Sequence, residues 1–157
     1  SNAMMNLVMD AWLAAYPADV ALCNPGSFRQ DLDPGEITLA DIVGVLPFNN
    51  ILVDATLTGQ QVIASYTHGA RRPAVAGLER EGHRYTVNGE PLDPDGEYQV
   101  LVNDYMYAGG DGYALADYDP NAYVTGIDWR QPVIDWISAR KTSSDAPLEE
   151  YLDTAAR

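Results

Sequence analysis

The chain has 157 residues, a length that fits one domain and can bury an apolar core without disulfides or metals. Its net charge of −14 argues against a protein that binds duplex nucleic acid, because phosphate contacts need clustered Lys and Arg. The apolar share of 46% argues against a disordered chain. The single Cys23 excludes an internal disulfide framework and a multi-cysteine metal site.

No signal for export is visible in the N-terminal segment. Residues 1–3 resemble the remnant of an expression tag, so we expect the domain to span 4–141, with a tail over 142–157. The apolar stretch at 5–15 lacks the basic region that precedes the core of a signal peptide. No apolar run approaches the roughly 18–20 residues of a membrane span, so we expect no membrane partner.

The first half of the chain alternates between helical and strand patterns. Asn6 is suited to cap a helix that ends near Pro17, and Thr38 is suited to cap a short helix. Pro34-Gly35 is typical of a turn. The other predicted elements are a buried strand at 19–23, a largely buried strand at 50–57 and an amphipathic helix at 60–68.

The second half begins with a polar segment at 71–84 that has little to bury, which predicts a mobile surface loop. Asn88-Gly89 is a strong hairpin signal. The clearest strand covers 98–102, and a helix is predicted at 129–139. Together the elements predict one mixed α/β domain in which helices pack against a mixed β-sheet.

A complete catalytic centre is missing from the sequence. Neither His68 nor His83 lies in a spacing used for metal ligation, so we interpret both as surface or loop residues. The chain has no Gly-x-Ser-x-Gly elbow and no Walker lysine. We therefore predict no catalytic residue, no metal ligand and no cofactor held by this chain.

Three polar and aromatic clusters, at 24–29, 46–50 and 103–113, remain as candidate binding elements. In the first, Arg29 is the only Lys or Arg among the first 70 residues. A lone guanidinium beside a glycine turn suits an anionic oxygen. A salt bridge from Arg29 to a neighbouring acid, Asp31 or Asp33, is the alternative interpretation.

The other two clusters also allow two interpretations each. Phe48, one of two Phe in the chain, could be a ligand platform or a core residue. In Gly109-Gly110-Asp111-Gly112 the glycines let the backbone approach a ligand while Asp111 accepts hydroxyl hydrogens. The alternative is a glycine-rich turn in which Asp111 caps its own backbone.

The order and spacing of these clusters resemble the C-terminal domain of the 5′-nucleotidase family, which includes hydrolases of nucleotides, UDP-sugars and cyclic nucleotides. The resemblance covers roughly residues 6–140, and its most recognisable part is Gly-Gly-Asp-Gly-Tyr at 109–113. The other matching motifs lie at 6–11, 24–29, 46–50, 57–59 and 88–98.

The resemblance implies a division of labour between two domains. An N-terminal metallophosphoesterase domain, absent from this chain, would hold two divalent metal ions and perform the hydrolysis. The present domain would recognise a nucleotide or nucleoside, would be inactive alone, and would work with that partner domain in cis or in trans. Family members are often periplasmic, surface-bound or extracellular.

The resemblance also implies roles for individual residues. Phe48 and Tyr105 would sandwich the base, with Tyr105 standing where the family usually has Phe, and either ring is suited to stacking. The other implied contacts are the base edge or nearby groups for Asn24 and Asn50, the ribose hydroxyls for Asp111, and phosphate or ribose oxygen for Arg29.

Two departures from the family pattern support a rival interpretation. Pro25, Ser27 and Phe28 replace two glycines and Ile, so the loop before Arg29 could hold a different shape. The stretch between 77 and 85 is shorter than the family norm, so one strand or hairpin of the family could be absent from this chain. The rival is a non-enzymatic structural or interaction module that kept the fold while its pocket decayed.

Overall fold

The computed structural model describes residues 1–33 and 35–157, and within them the chain forms six α-helices and eight β-strands. The helices are α1 (Asn2–Ala15), α2 (Leu39–Val45), α3 (Gly59–Tyr66), α4 (Asp104–Tyr107), α5 (Leu115–Tyr118) and α6 (Gln131–Arg140). The strands are β1 (Val20–Cys23), β2 (Ile51–Thr58), β3 (Ala74–Ala76), β4 (Leu78–Glu81), β5 (Arg84–Val87), β6 (Glu90–Pro91), β7 (Glu97–Asn103) and β8 (Tyr123–Asp128). The predicted mixed α/β class is confirmed. The turn predicted at Pro34 lies outside the described residues.

The main sheet has the strand order β3-β1-β7-β2-β8, and β4-β5-β6 forms a small second sheet. Only the β1–β7 pair of the described main-sheet strands is parallel, with Val20 opposite Val100. Strand β2 pairs with β7 from Leu52 to Thr58. Consecutive Leu52 and Val53 are both fully buried, because the sheet is covered on both faces.

Two apolar layers sandwich the main sheet, since alternate residues of each strand point to opposite faces. On one face, α1 and α6 pack with two fully buried tryptophans, Trp12 and Trp129. The Trp12 indole Nε1 donates to the Trp129 carbonyl at 3.0 Å, which ties the two helical regions together. On the other face, α3, α4 and α5 bury Val62, Met106 and Leu115.

The prediction of a mobile surface loop over 71–84 is wrong for most of that segment. Strand β3 is buried and pairs antiparallel with β1, and β4 pairs with β5. Such a three-residue strand carries almost no local pattern, and its stability comes from the neighbouring strand and from α1. The arginines of the segment do remain exposed, and Arg72 lies over the Tyr66 ring at 4.9 Å.

Helix α1 begins earlier than predicted, at Asn2, where the Ser1 hydroxyl accepts a hydrogen bond from the Met4 amide. Asn6 is therefore not the N-cap. It is buried, and its Nδ2 donates to the carbonyls of Asp153 and Ala155, each at 2.9 Å. Asn6, which was expected to cap the helix, instead binds the C-terminal tail.

The tail at 142–157 packs along α1 through the Arg157–Asp10 ion pair as well as through Asn6. The Arg157 guanidinium lies 2.6 Å from an Asp10 oxygen and 2.7 Å from an Asp153 oxygen.

Strand β8, at the edge of the main sheet, is not predicted from the sequence, because Tyr123 and Val124 are 62% and 59% exposed and show no alternating pattern. No helix in the described part of the chain is long and apolar enough to cross a membrane.

Candidate functional site

A cleft of about 290 Å³ lies at one end of the main sheet. Parallel β1 and β7 both end there, and antiparallel β2 begins there, so the segments that follow or precede these strands meet at the same edge. The residues that line the cleft are Asn24, Gly26, Ser27, Arg29, Phe48, Asn50, Tyr105 and Asp111.

The structure therefore brings the six predicted binding residues to one surface, although they come from three separate clusters of the sequence. The 24–29 segment reaches this surface despite its departures from the family pattern. Pro25–Ser27 forms a short 3-10 turn, and the Arg29 amide donates to the Val45 carbonyl at 3.0 Å. Asn24 and Arg29, at the two ends of this segment, both line the cleft.

The carboxylate of Asp111 is held from two sides. The Tyr105 hydroxyl donates to its Oδ1 at 2.7 Å, and the Asn24 Nδ2 donates to its Oδ2 at 3.1 Å. Donation to this carboxylate raises the pKa of Tyr105 above its usual value. An ionised carboxylate has about four acceptor sites, so Asp111 can still accept from a ligand.

A buried amide network beneath the cleft positions Asn24. Fully buried Asn103 donates from Nδ2 to the Asn24 Oδ1 at 3.0 Å, and the Ser27 hydroxyl donates to the same oxygen at 2.7 Å. The Asn103 Oδ1 accepts from the Met106 amide at 2.8 Å and so caps α4, which carries Tyr105. Sequence reasoning missed Asn103 and Ser27, although Asn at the end of an apolar strand is an N-cap signal.

The loop that carries Phe48 and Asn50 is held by the junction between β8 and α6. The Trp129 indole donates to the Phe48 carbonyl at 2.8 Å, and the Arg130 guanidinium donates to the same oxygen at 2.6 Å. The Asn50 Nδ2 donates to the Asp104 carboxylate. The backbone is thus fixed while the Phe48 side chain stays 46% exposed, so the core alternative for Phe48 is wrong.

Arg29 presents its charge to the cleft. Its guanidinium lies over the Phe48 ring, 5.0 Å from the centroid, a cation–π contact. Among residues 1–33 and 35–157, Arg29 forms no ion pair with Asp31 or Asp33, which were the alternative partners.

The 109–113 turn uses backbone conformations that suit glycine. Gly109 and Gly112 have φ of +99° and +80°, and Asp111 itself lies in the left-handed region at φ +57°. At Gly110 the constraint is steric, because an added Cβ would lie 2.5 Å from the Tyr105 ring and the ring would have to move. The aromatic side chain thus rests directly on the glycine backbone.

Replacing Gly110 with alanine should push the exposed Tyr105 ring away from the turn and break its hydrogen bond to Asp111, at a cost in stability of less than about 1 kcal/mol. Urea denaturation measures the loss, and the Tyr105 ring signals in NMR report the displacement. Gly26→Ala is the matched control, because its Cβ would lie 3.8 Å from the Asn24 Nδ2, an ordinary contact. Equal stabilities and equal Tyr105 ring signals in the two variants would contradict the steric argument.

Nucleophilic groups near the cleft are kept uncharged. Burial raises the pKa of the Cys23 thiol to about 12, and burial likewise raises that of Tyr113 to about 12. A thiol with so high a pKa is not a nucleophile at neutral pH. In the described part of the chain, no group of three or more His, Cys, Asp or Glu side chains could hold a metal ion. Among the described residues, the cleft is lined by hydrogen-bonding and charged groups and not by a set of metal ligands.

His68 also contacts the site, a position that sequence reasoning did not single out. The predicted helix over 60–68 ends earlier, at Tyr66, so His68 lies in the loop that follows α3. Its Nε2 lies 2.7 Å from the Asp111 carbonyl oxygen. Its ring packs against Tyr113, with 4.6 Å between centroids. No sequence signal links the two segments, because 43 positions separate His68 from Asp111.

Comparison with protein families matches residues 1–66 and 64–117 to the family described as "5′-nucleotidase, C-terminal domain". Over 137 residues the chain is 34% identical to the trifunctional nucleotide phosphoesterase protein YfkN of Bacillus subtilis, covering 70% of this chain and 9% of that protein. It is 29% identical to the protein UshA of Escherichia coli over 136 residues, covering 79% of this chain and 25% of that protein.

Comparison with solved structures gives the same relationship. The crystal structure of the 5′-nucleotidase precursor from Thermus thermophilus matches with a TM-score of 0.77 and 27% identity. The match covers 90% of this chain and 33% of that chain. The present chain thus spans between about a tenth and a third of the length of these similar proteins.

Proposed function

Because this chain belongs to the 5′-nucleotidase family as a C-terminal domain, we propose that it recognises the substrate of a nucleotide hydrolase. The family resemblance inferred from the motifs is confirmed by these comparisons. The proposed ligand is a nucleotide or nucleoside bound in the cleft at the end of the main sheet.

One observation carries the proposal: two exposed aromatic rings share a small cleft with one carboxylate and one guanidinium. Phe48 and Tyr105 are each 46% exposed, although exposing large apolar rings to water costs free energy. A heteroaromatic base that stacks on them would remove that cost. Asp111 would accept from sugar hydroxyls, and Arg29 would bind an anionic phosphate oxygen.

The hydrogen bonds refine the roles proposed for the two asparagines. Both polar side-chain atoms of Asn24 have protein partners, and its Nδ2 donates to Asp111, so we assign Asn24 the role of orienting that carboxylate. Asn50 donates to Asp104, and among the described residues none donates to its Oδ1. This oxygen is therefore suited to accept from the edge of a base.

Hydrolysis would require a second domain. Across the described residues, no cluster of metal-ligating side chains is present, and the longer similar proteins have ample chain for further domains. We propose that a metallophosphoesterase domain, in cis or in trans, holds the divalent metals and performs the reaction. The isolated chain should then release no phosphate from adenosine monophosphate when divalent metal is added.

The test is a titration of the purified chain with adenosine monophosphate and with adenosine, followed by NMR. Arg29→Gln should weaken binding of the monophosphate about tenfold, because a charge-assisted hydrogen bond is lost, and should change adenosine binding much less.

Arg140→Gln is the matched control, because Arg140 also lies over an aromatic ring, that of Trp136, but does not line the cleft. Absence of any shift at cleft residues with either ligand would refute the proposed function. An equal loss for both ligands in Arg29→Gln would refute the phosphate role of Arg29 alone.

A further inference from the structure

His68 contacts Asp111 and Tyr113 of the 109–113 turn. Its Nε2 lies 2.7 Å from the Asp111 carbonyl oxygen, and a Cβ on Gly112 would lie 3.4 Å from the same nitrogen. Its ring also packs against Tyr113 at a tilt of 49°. Because a carbonyl oxygen only accepts, Nε2 must carry the proton in this contact.

The turn needs such support, because Asp111 has a backbone conformation that few side chains adopt. Its φ of +57° and ψ of 17° are left-handed, a region tolerated by Asp but disfavoured for residues with a Cβ. Within the turn, the Gly112 and Tyr113 amides donate to the carbonyls of Gly109 and Gly110. The bond from His68 is the contact that orients the Asp111 carbonyl from outside the turn.

The orientation of the Asp111 backbone decides where its carboxylate points. Both carboxylate oxygens meet donors on other segments, Tyr105 on α4 and Asn24 after β1. A change in the backbone of Asp111 would move the carboxylate away from both donors and from the mouth of the cleft. His68 is itself anchored by its amide, which donates to the Ser65 carbonyl at the end of α3.

We propose that His68 is a positioning residue, which fixes the Asp111 carboxylate for the two hydroxyls of a ribose. This inference rests on the proposed function, since it assigns the recognition of the sugar to a specific arrangement within the same cleft. It predicts that His68 contributes to binding of a nucleoside but not to binding of the free base. A residue that merely stabilised the fold would affect both ligands alike.

The experiment measures dissociation constants by NMR titration for adenosine and for adenine. His68→Ala should weaken adenosine binding about three- to tenfold, the effect of one hydrogen bond, and leave adenine binding unchanged. His68→Gln keeps an N–H donor and should recover part of the loss. His83→Ala is the matched control, because His83 is the other histidine and lies exposed in the turn between β4 and β5.

A double-variant cycle separates positioning from any independent contact. In an Asp111→Ala background, His68→Ala should cause no further loss of adenosine affinity, because the carboxylate to be positioned is gone. Additive losses, or unchanged adenosine affinity in His68→Ala, would overturn the inference and leave the proposed function standing. Failure of the unsubstituted chain to bind either ligand would overturn both. Thermal unfolding of each variant identifies any that fail to fold, and His68→Gln then carries the test.

Discussion

Substituting both Phe48 and Tyr105 with alanine is expected to weaken binding of adenosine monophosphate by about 2–6 kcal/mol, because each stacking contact contributes about 1–3 kcal/mol. This corresponds to a loss of affinity between about 30-fold and 10⁴-fold. The unfolding free energy should fall much less than on truncating two fully buried aromatic rings, which usually costs about 3–5 kcal/mol each, since both rings are about half-exposed. NMR titration and urea denaturation measure the two quantities on the same samples.

A double variant of two exposed tyrosines outside the cleft is the matched control. Tyr123 and Tyr151 are 62% and 46% exposed, and neither lines the cleft. Tyr123→Ala with Tyr151→Ala should leave nucleotide affinity unchanged. Binding that persists unchanged in the Phe48→Ala, Tyr105→Ala variant would refute the base sandwich.

The largest loss of stability is expected from Trp129→Ala, about 3–5 kcal/mol in the free energy of unfolding. Trp129 is fully buried between α1, α6 and the main sheet, and it makes three hydrogen bonds. Its carbonyl accepts from Trp12, its indole donates to the Phe48 carbonyl, and its amide donates to the Asn50 carbonyl. The variant should therefore also loosen the loop that carries Phe48 and Asn50.

Two further variants separate packing from hydrogen bonding at this position. Trp129→Phe keeps much of the volume and removes the indole donor, so it should cost about 1–3 kcal/mol. Trp136→Ala is the control, since Trp136 is half-buried on α6 and stacks with Arg140. Urea denaturation of the three variants should rank Trp129→Ala as the least stable. A loss of stability no greater than that of Trp136→Ala would contradict the central role of Trp129.

Local sequence determined much of the secondary structure. Asn88-Gly89 forms the predicted turn, with both residues at positive φ, because only a few residue types accept this conformation. Thr38 caps α2 with Asp41 in a capping box, a signal contained in four consecutive residues. Strands β2 and β7 were likewise recognisable, because their β-branched and apolar residues follow the pattern of a largely buried strand.

The edge strands β3 and β8 could not be predicted in this way. Three residues of β3 are strand only because β1 and α1 cover them, and β8 exposes Tyr123 and Val124 at its start. An edge strand is paired on one side only, so its apolar pattern is less constrained than that of a central strand.

For the candidate site, the ordered motifs pointed to the six lining residues, but their spatial arrangement depended on the tertiary structure. Parallel pairing of β1 with β7 brings Asn24 and Asp111 together across 87 positions of sequence. The supporting contacts of Asn103, Trp129 and His68 had no signature as a site in sequence. They depend on hydrogen bonds between segments that are distant in the chain, and only folding decides which donors and acceptors meet.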